Sequence, residues 1–428
     1  MTVLLLDAHL KSSLAAIRSL GNHGVPIVAG SHVASAMGLY SRHIQSGFLY
    51  PSPLLSRSAF VDAVIRQTRL TGRVVLLAFS DSTLLPLVED ERFLQDHGIY
   101  VLPASRQYFD IAFDKARTLE LAWKIGVGIP QTYLCKSESD FSAVLRDLTY
   151  PVVVKPRRSV SWKGGTGAHR TARFAFLPED VRKQCATLMA RTGEFPIIQD
   201  FVYGEEAGVE FLCDDGRVLA ACAHRRIRSE SPIGGPGAVK ETVPLSYQGL
   251  GTMAQHLVTA LRWSGPIMIE FKIDRLSGIP KLMEINGRFW GSLPLATAAG
   301  VDFPYLYYQL ARGESVFPSL GYREGIVSRH FVGDVKNLLQ VLVGDDPMRP
   351  LVYPGRLRAL RDFLVLPRHC KSDVLDWNDW KPAAVEIVDV AKRILSASFR
   401  RTAPAKPVPE ITWPAIPIDD SVILSTRK

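Results

Sequence analysis

The sequence is short of cysteine, of long apolar runs and of several familiar catalytic signatures. Its five cysteines (Cys135, Cys185, Cys213, Cys222, Cys370) form no CxxC pair and are odd in number. That argues against a disulfide framework and favours free thiols in a reducing cytoplasm. No apolar run approaches the ~20 residues that span a bilayer. No GxGxxG follows the first apolar run, and GxxxxGK[ST], GxSxG and HExxH are all missing. These absences remove the dinucleotide fingerprint, the Walker P-loop, the hydrolase elbow and the zinc-protease helix. His224 and His330 have no metal-ligand partner at suitable spacing and read as core or surface histidines. The net charge of +9 suits nucleotide-like polyanions, a membrane surface or nucleic acid. With neither zinc-finger spacing nor an RNA-recognition signature, nucleic acid drops out.

What is present describes a soluble globular chain. Hydrophobic residues make up 47% and charged residues 22% of 428 positions, enough for two or three domains. Residues 1–11 meet Asp7 after a short apolar run and are expected to form a first strand rather than a signal peptide. Strand-like runs at 3–6, 26–29, 74–79 and 100–102 alternate with helical spacing at 10–17 and 60–70, which predicts a parallel sheet with covered faces. From Asp114 a helix over 115–125 leads to Gly126-Val-Gly-Ile-Pro130. A strand at 151–155 then opens into the glycine-rich stretch Trp162-Lys-Gly-Gly-Thr-Gly167. One hairpin is expected over 209–212 and 218–224, turning on Asp214-Asp215-Gly216, and a second over 267–274 and 280–286, turning near Ser277-Gly278. Past about residue 316, helices are expected at 337–343 and 382–399, followed by a proline-rich, extended stretch at 402–417.

The second hairpin carries the sharpest chemical signal. In Ile267-Met-Ile-Glu-Phe-Lys-Ile-Asp274 the alternation puts Met268, Glu270, Lys272 and Asp274 on one face. Centring the turn on Ser277 sets Glu270 directly opposite Glu284. Facing like charges destabilise a ladder. A divalent cation removes that penalty, and two carboxylates with the Asn286 amide oxygen are the hard ligands Mg²⁺ prefers. The alternative is that one acid is solvated or paired with Lys272 or Arg288.

The following stretch, Glu284-Ile-Asn-Gly-Arg288 after an acid on the preceding strand, resembles the metal motif of the ATP-grasp superfamily. The resemblance implies that Glu270, Glu284 and Asn286 bind Mg²⁺ (or Mn²⁺) on ATP phosphates and that Arg288 reaches the transferring phosphoryl group. Upstream, Asp114-Lys115 and Val152-Val-Val-Lys155-Pro156 are similar to the segments carrying the family's two phosphate lysines. Lys155 could otherwise simply snorkel to solvent. Gly164 and Gly165 belong to a stretch similar to the flexible loop over the phosphates. Ile197-Ile-Gln-Asp-Phe-Val-Tyr-Gly-Glu-Glu206 resembles the adenine hinge, with Gln199 where the family usually has an acid. The implied contacts are Gln199, Asp200, Phe201 and Val202 on adenine and Glu206 on ribose, with Glu205 a solvated neighbour. Arg226 and Arg228 are the implied partners of the acceptor or carboxylate and the γ-phosphate. An exposed strand would instead put these arginines in solvent.

The resemblance implies an α/β N-terminal domain (1–113), an α+β ATP-grasp module of two lobes clamping ATP (114–198 and 199–315) and a mainly helical C-terminal extension (316–428). The implied activity is an ATP- and Mg²⁺-dependent cytoplasmic ligase that joins a small-molecule carboxylate to an amine through an acyl phosphate. Alternatives are a carboxylase- or carbamoyl-phosphate-type enzyme using bicarbonate, or a nucleotide-binding scaffold without turnover. Against the former there is no biotin-attachment motif, glutaminase domain or second copy of the module. The complete metal set argues against the latter. A homodimer is compatible with the sequence. The basic residues Arg356, Arg358, Arg361, Arg368, Lys371, Lys392, Arg393, Arg400 and Arg401 are candidate contacts for an acidic membrane or a polyanion, or else a solvated face.

Overall fold

The computed structural model describes residues 1–88, 94, 96–102, 106–163, 165–343, 353–367, 369–399 and 422–424. The first sheet is wholly parallel and contains β1 (Thr2–Leu5), β2 (Ile27–Ser31), β3 (Ser46–Leu49), β4 (Val74–Leu77) and β5 (Ile99–Tyr100), in the order β3-β2-β1-β4-β5. Strand β3 was not signalled by the sequence, because its Ser-Gly-Phe-Leu lies at the exposed sheet edge and has no apolar run. The chain winds outward from β1 to β3, then crosses to β4 on the other side. That reversal leaves a crevice at the carboxyl ends of β1 and β4, the usual ligand position in open α/β sheets.

Asp7 closes the end of β1 in a left-handed conformation (φ 58°), which aspartate tolerates better than most residues. Its buried carboxylate accepts from Phe79 N at 3.0 Å and Thr83 Oγ1 at 2.6 Å, while its N–H donates to Tyr50 Oη at 2.9 Å. One acid thus fixes the loops that follow β1, β3 and β4.

The next unit contains β6 (Thr132–Leu134), β7 (Val152–Lys155), the separate hairpin of β8 (Val160–Lys163) with β9 (Thr166–His169), β10 (Arg173–Ala175) and β11 (Ile197–Asp200). Its sheet has the order β10-β7-β11-β6. The helices Glu138–Asp147 and Pro178–Thr192 cover one face, where Phe141, Val144, Val152, Val154, Val181 and Ile198 form a buried cluster.

The large sheet comprises β12 (Gly204–Asp214), β13 (Arg217–Ser231), β14 (Gly234–Thr242), β15 (Gly265–Asp274), β16 (Pro280–Asn286), β17 (Val327–Arg329) and β18 (Lys371–Ser372), in the order β16-β15-β12-β13-β14-β17-β18. The β12–β13 turn holds Asp215 and Gly216 at φ 46° and 81°, the paired positive values that tight hairpins select. Gly234, Gly235 and Gly237 lie in β14. A last strand, β19 (Val422–Leu424), pairs with β6.

Beyond β17 lie the helices Phe331–Val343, Arg356–Leu364 and Lys381–Phe399. The proline-rich stretch 402–417 and Arg368, Arg400 and Arg401 fall outside the described residues. This region is anchored through its acids rather than its bases. Asp373 lies 2.9 Å from Lys11 Nζ of the first helix and 2.5 Å from Lys240 Nζ of β14. Asp379 accepts from Arg18 Nε, Ser41 Oγ and the Arg42 N–H. Asp334 binds both Arg228 and Arg329. Burial opposes ionisation of Asp373, but the two lysines outweigh it and hold the carboxyl below the usual range. Burial takes Lys240 down to about 8, against the pull of Asp373.

Asp373→Asn would leave Lys240 buried without its counter-charge, so stability at neutral pH should fall by on the order of 3–5 kcal/mol. A urea midpoint equal to wild type would mean that other contacts hold the extension. The carboxylate's contribution is fully present above pH ~4 and should be lost as the pH falls through its depressed folded value.

Candidate nucleotide and metal site

The alternation along β15 and β16 delivers the acids. Glu270 pairs in register with Glu284, and Met268 pairs with Asn286. Asn286 Nδ2 donates to Glu270 Oε1 at 3.1 Å and reaches Glu284 Oε1 at 3.5 Å, while its Oδ1 accepts from Arg288 Nη2 at 3.0 Å. The two carboxyls titrate apart. Burial raises Glu270, reinforced by Glu284 and Glu206 against the opposing Arg226. Burial also opposes ionisation of Glu284, yet Lys115, Lys155 and Arg288 bring it down to about 2.

Two facing carboxylates and an amide are a hard oxygen-donor set. Among the described residues no group of three or more His, Cys, Asp or Glu could hold a metal ion. A cation bound to Glu270 and Glu284 would therefore draw its remaining ligands from phosphate and water, the habit of Mg²⁺ in nucleotide sites. Asn286 would join the set only with its amide turned end for end, which would exchange the Oδ1 contact with Arg288 for one with the cation.

The lysines approach from the smaller sheet's side. Lys115 opens the helix Lys115–Lys124, whose first turn is capped by Asp114 through the N–H groups of Ala116 and Arg117. Its Nζ lies 3.3 Å from Glu284 Oε2 and donates to Ser159 Oγ at 2.7 Å. Lys155 ends β7, and burial, with Lys115 and Lys272 nearby, lowers it to about 8 despite Glu284 and Glu270.

Register places the residues expected to form the adenine hinge. Gln199 pairs with Val153 and Ile197 with Lys155, so Gln199 and Lys155 share one face of the small sheet. Gln199 is buried; its Nε2 donates to Thr132 Oγ1 at 2.9 Å and its Oε1 has no partner. Such an acceptor suits an amino-group donor like the N6 of adenine. The Asp200 N–H is already spent on Gln131 O at 3.0 Å, and burial raises the Asp200 carboxyl. Phe201 lies under Lys272 Nζ, 4.9 Å from the ring centre, and Val202 is buried.

Arg226 lies between two acids, 3.1 Å from Glu206 and 2.5 Å from Glu270, with Ser229 Oγ also on Glu206 at 2.9 Å. Arg228 is turned the other way, in a two-pronged contact with Asp334 at 2.7 and 2.9 Å. Glu205, expected to be solvated, accepts from Tyr247 Oη at 2.7 Å and faces Arg225 at 3.4 Å. Phe201, Glu206, Arg226, Arg228 and Lys272 line a cavity of about 880 Å³ whose far wall includes Arg358 of the extension.

Sequence reasoning missed Asp81. It starts the helix Asp81–Val88 beyond β4 and lies 2.7 Å from Arg288 Nε, joining the crevice of the first sheet to the acid pair. The available signal was an acid just after a buried parallel strand. The glycine-rich hairpin docks on the same domain: Trp162 Nε1 donates to Pro53 O at 2.9 Å and Gly167 N to Leu54 O at 2.7 Å. Gly165 turns at φ 84°, a glycine conformation; Gly164 lies outside the described residues. Trp290 is core, packed edge-on to Phe303. His224 and His330 each contact carboxylates, Glu210 for the first and Glu230 and Glu386 for the second.

Residues 194–328 match a family model described as ATP-grasp in the biosynthetic pathway with Ter operon. Over 263 residues the chain is 24% identical to the carbamoyl phosphate synthase large chain of Archaeoglobus fulgidus, a match covering 60% of this chain and 23% of that protein. The chain thus spans less than a quarter of the curated relative's length. Among solved structures, it is similar to the biotin carboxylase domain of Hydrogenobacter thermophilus 2-oxoglutarate carboxylase, in complex with MgADP, ADP and bicarbonate. That match has a TM-score of 0.59 at 16% identity and covers 76% of this chain and 73% of that one. The L-amino acid ligase of Bacillus licheniformis matches with a TM-score of 0.53 at 18% identity, covering 73% and 74%. The chain has the ATP-grasp fold, and the resemblance to that superfamily carried by its motifs is borne out.

Lys155 should lose its proton as the pH rises through about 8. ADP affinity measured without metal should therefore hold below that pH and weaken by up to about tenfold per unit above it. Lys155→Met should bind weakly with no such inflection; an unchanged profile in that variant would remove Lys155 from the phosphate site.

Proposed function

We propose that the protein is an ATP- and Mg²⁺-dependent ligase that activates a substrate carboxylate as an acyl phosphate and couples it to an amine, releasing ADP and phosphate. The observation that carries this reading is the facing pair Glu270 and Glu284, ringed by Lys115, Lys155 and Arg288. The MgADP bound in the Hydrogenobacter thermophilus structure supports the choice of nucleotide and metal. The proposed lobes are residues 114–198 and 199–315.

In this mechanism Gln199 and Val202 hold adenine and Glu206 the ribose hydroxyls. Lys115 and Lys155 align the γ-phosphate. Bound Mg²⁺, held by Glu270, Glu284 and Asn286, supplies charge neutralisation on the phosphates, the main requirement of phosphoryl transfer. Arg288 balances charge on the phosphoryl group as the carboxylate attacks in line, and Arg226 faces the same charge from the other side. Arg228 acts at one remove, through the wall it shares with Asp334. The hairpin of Trp162 and Gly165, closed on the first domain, keeps water from the acyl phosphate.

The acceptor amine is assigned to the crevice beyond β1 and β4, which Asp81 joins to Arg288. His9 and His32 stand there with ring centres 4.7 Å apart, and His32 lies 6.2 Å from the Tyr50 ring. Burial lowers His32 below the usual histidine value, against the attraction of Asp7, so its neutral imidazole is competent to accept the proton that the amine nitrogen loses as it bonds to the acyl carbon and phosphate leaves.

ADP release assayed across carboxylate and amine pools tests the reading. A stimulating pair should be found, and Glu284→Ala should cut turnover by about 10²-fold or more. Hydrolysis at the wild-type rate in that variant would make the metal assignment wrong. ATP binding with no stimulation by any pool would favour a scaffold, and stimulation by bicarbonate alone a carboxylase-type enzyme. His32→Gln should slow coupling to an amine while sparing hydroxamate formation with hydroxylamine, which is already largely neutral at pH 7. Equal loss with both nucleophiles would remove the proton-accepting role.

A further inference from the structure

The helix Arg356–Leu364 is built inside out. Ala359 is buried, and Phe363 packs inward with the Arg329 guanidinium 4.2 Å from its ring centre. Leu357, Leu360 and Leu364 recur at i, i+3 and i+7, the spacing of one helical face. That face is 85%, 42% and 70% exposed, and Val365 continues it at 70%. The neighbouring helix Phe331–Val343, which packs against it, also carries exposed leucine and valine side chains at Leu339 and Val343. In a globular domain such a stripe turns to the core, since burial takes its apolar surface out of water.

The charge around this stripe is positive. Arg356 and Arg361 flank it on the same short helix, whereas Arg358 faces the cavity; the helix's single acid, Asp362, lies 3.5 Å from Arg358 and 2.9 Å from Arg361. A second copy meeting the face across a two-fold axis would set these arginines against their own counterparts. An anionic bilayer accepts both components, leucines into the acyl boundary and arginines among the headgroups. No helix among the described residues is long and apolar enough to cross a membrane, so the contact is peripheral.

We propose that the outer face of the helix Arg356–Leu364 docks on an anionic lipid surface. The inner side of the same helix lines the cavity that contains Glu206, through Arg358, Ala359 and Asp362. Docking would hold the mouth of that cavity at the bilayer.

The full chain should be sedimented with phosphatidylcholine vesicles, with and without phosphatidylglycerol. The proposal expects binding to the anionic vesicles, at least about tenfold weaker binding to phosphatidylcholine alone, and weakening with salt. Leu357→Glu with Leu364→Glu should reduce binding to the phosphatidylcholine background while leaving the melting temperature and ADP binding unchanged. Arg356→Gln with Arg361→Gln, which leaves the leucines in place, should lower binding to anionic vesicles only. Failure of the wild-type chain to bind anionic vesicles would overturn the proposal, as would undiminished binding by the leucine variant. So would a wild-type dimer that this variant dissociates, which would assign the face to a second copy. A large fall in its melting temperature would assign the face instead to packing within the chain, and overturn it too. These readouts do not use turnover, so they stand or fall apart from the ligase reading.

Discussion

Two carboxylates that face each other across a β-ladder are the constraint on which the site depends. Glu270 and Glu284 cannot both carry full charge there at no cost, and their surroundings split them, one raised and one held low. Every cationic group nearby fits as a response to that pair. Lys115 and Lys155 approach Glu284, Arg226 meets Glu270, and Arg288 holds Asn286. A pocket balanced in this way has strong reason to bind a divalent cation and the polyphosphate that travels with it.

The same logic operates between the parts of the molecule. Single acids bridge units that share no local sequence: Asp81 to Arg288, Asp334 to Arg228, Asp373 to Lys11 and Lys240, Asp379 to Arg18. Several are buried, so losing either partner leaves a charge without compensation. The extension is therefore structural on its inner side, whatever its outer leucine face meets. It also reaches the cavity directly, which gives it a route to influence what binds there.

Strong local periodicity made part of this legible beforehand. The alternation from Ile267 to Asp274 and a turn centred on Ser277 set Glu270 opposite Glu284, and the structure keeps that pairing only through a β-bulge between Glu270 and Phe271 that no local pattern signals. Asp214-Asp215-Gly216 located the other hairpin turn because tight turns need positive φ. Strand β14 was hidden, since its glycines mimic a loop, and the edge strand β3 has no apolar pattern to read. The ion pairs were illegible for a different reason. Arg228 and Asp334 are 106 residues apart and Arg288 and Asp81 are 207 apart, and nothing local in the chain links such positions. Gln199 looked like a departure from the expected acid, whereas its unpartnered Oε1 keeps an acceptor on the strand face it shares with Lys155.

The central claim is that the facing acids form a cation site completed by nucleotide phosphate. Calorimetric titration of Mn²⁺ into the protein with and without ADP tests it most directly. The account predicts saturable binding that tightens markedly with ADP and disappears in Glu270→Gln combined with Glu284→Gln. Equal Mn²⁺ binding by that double variant, or no effect of ADP on the wild type, would contradict it.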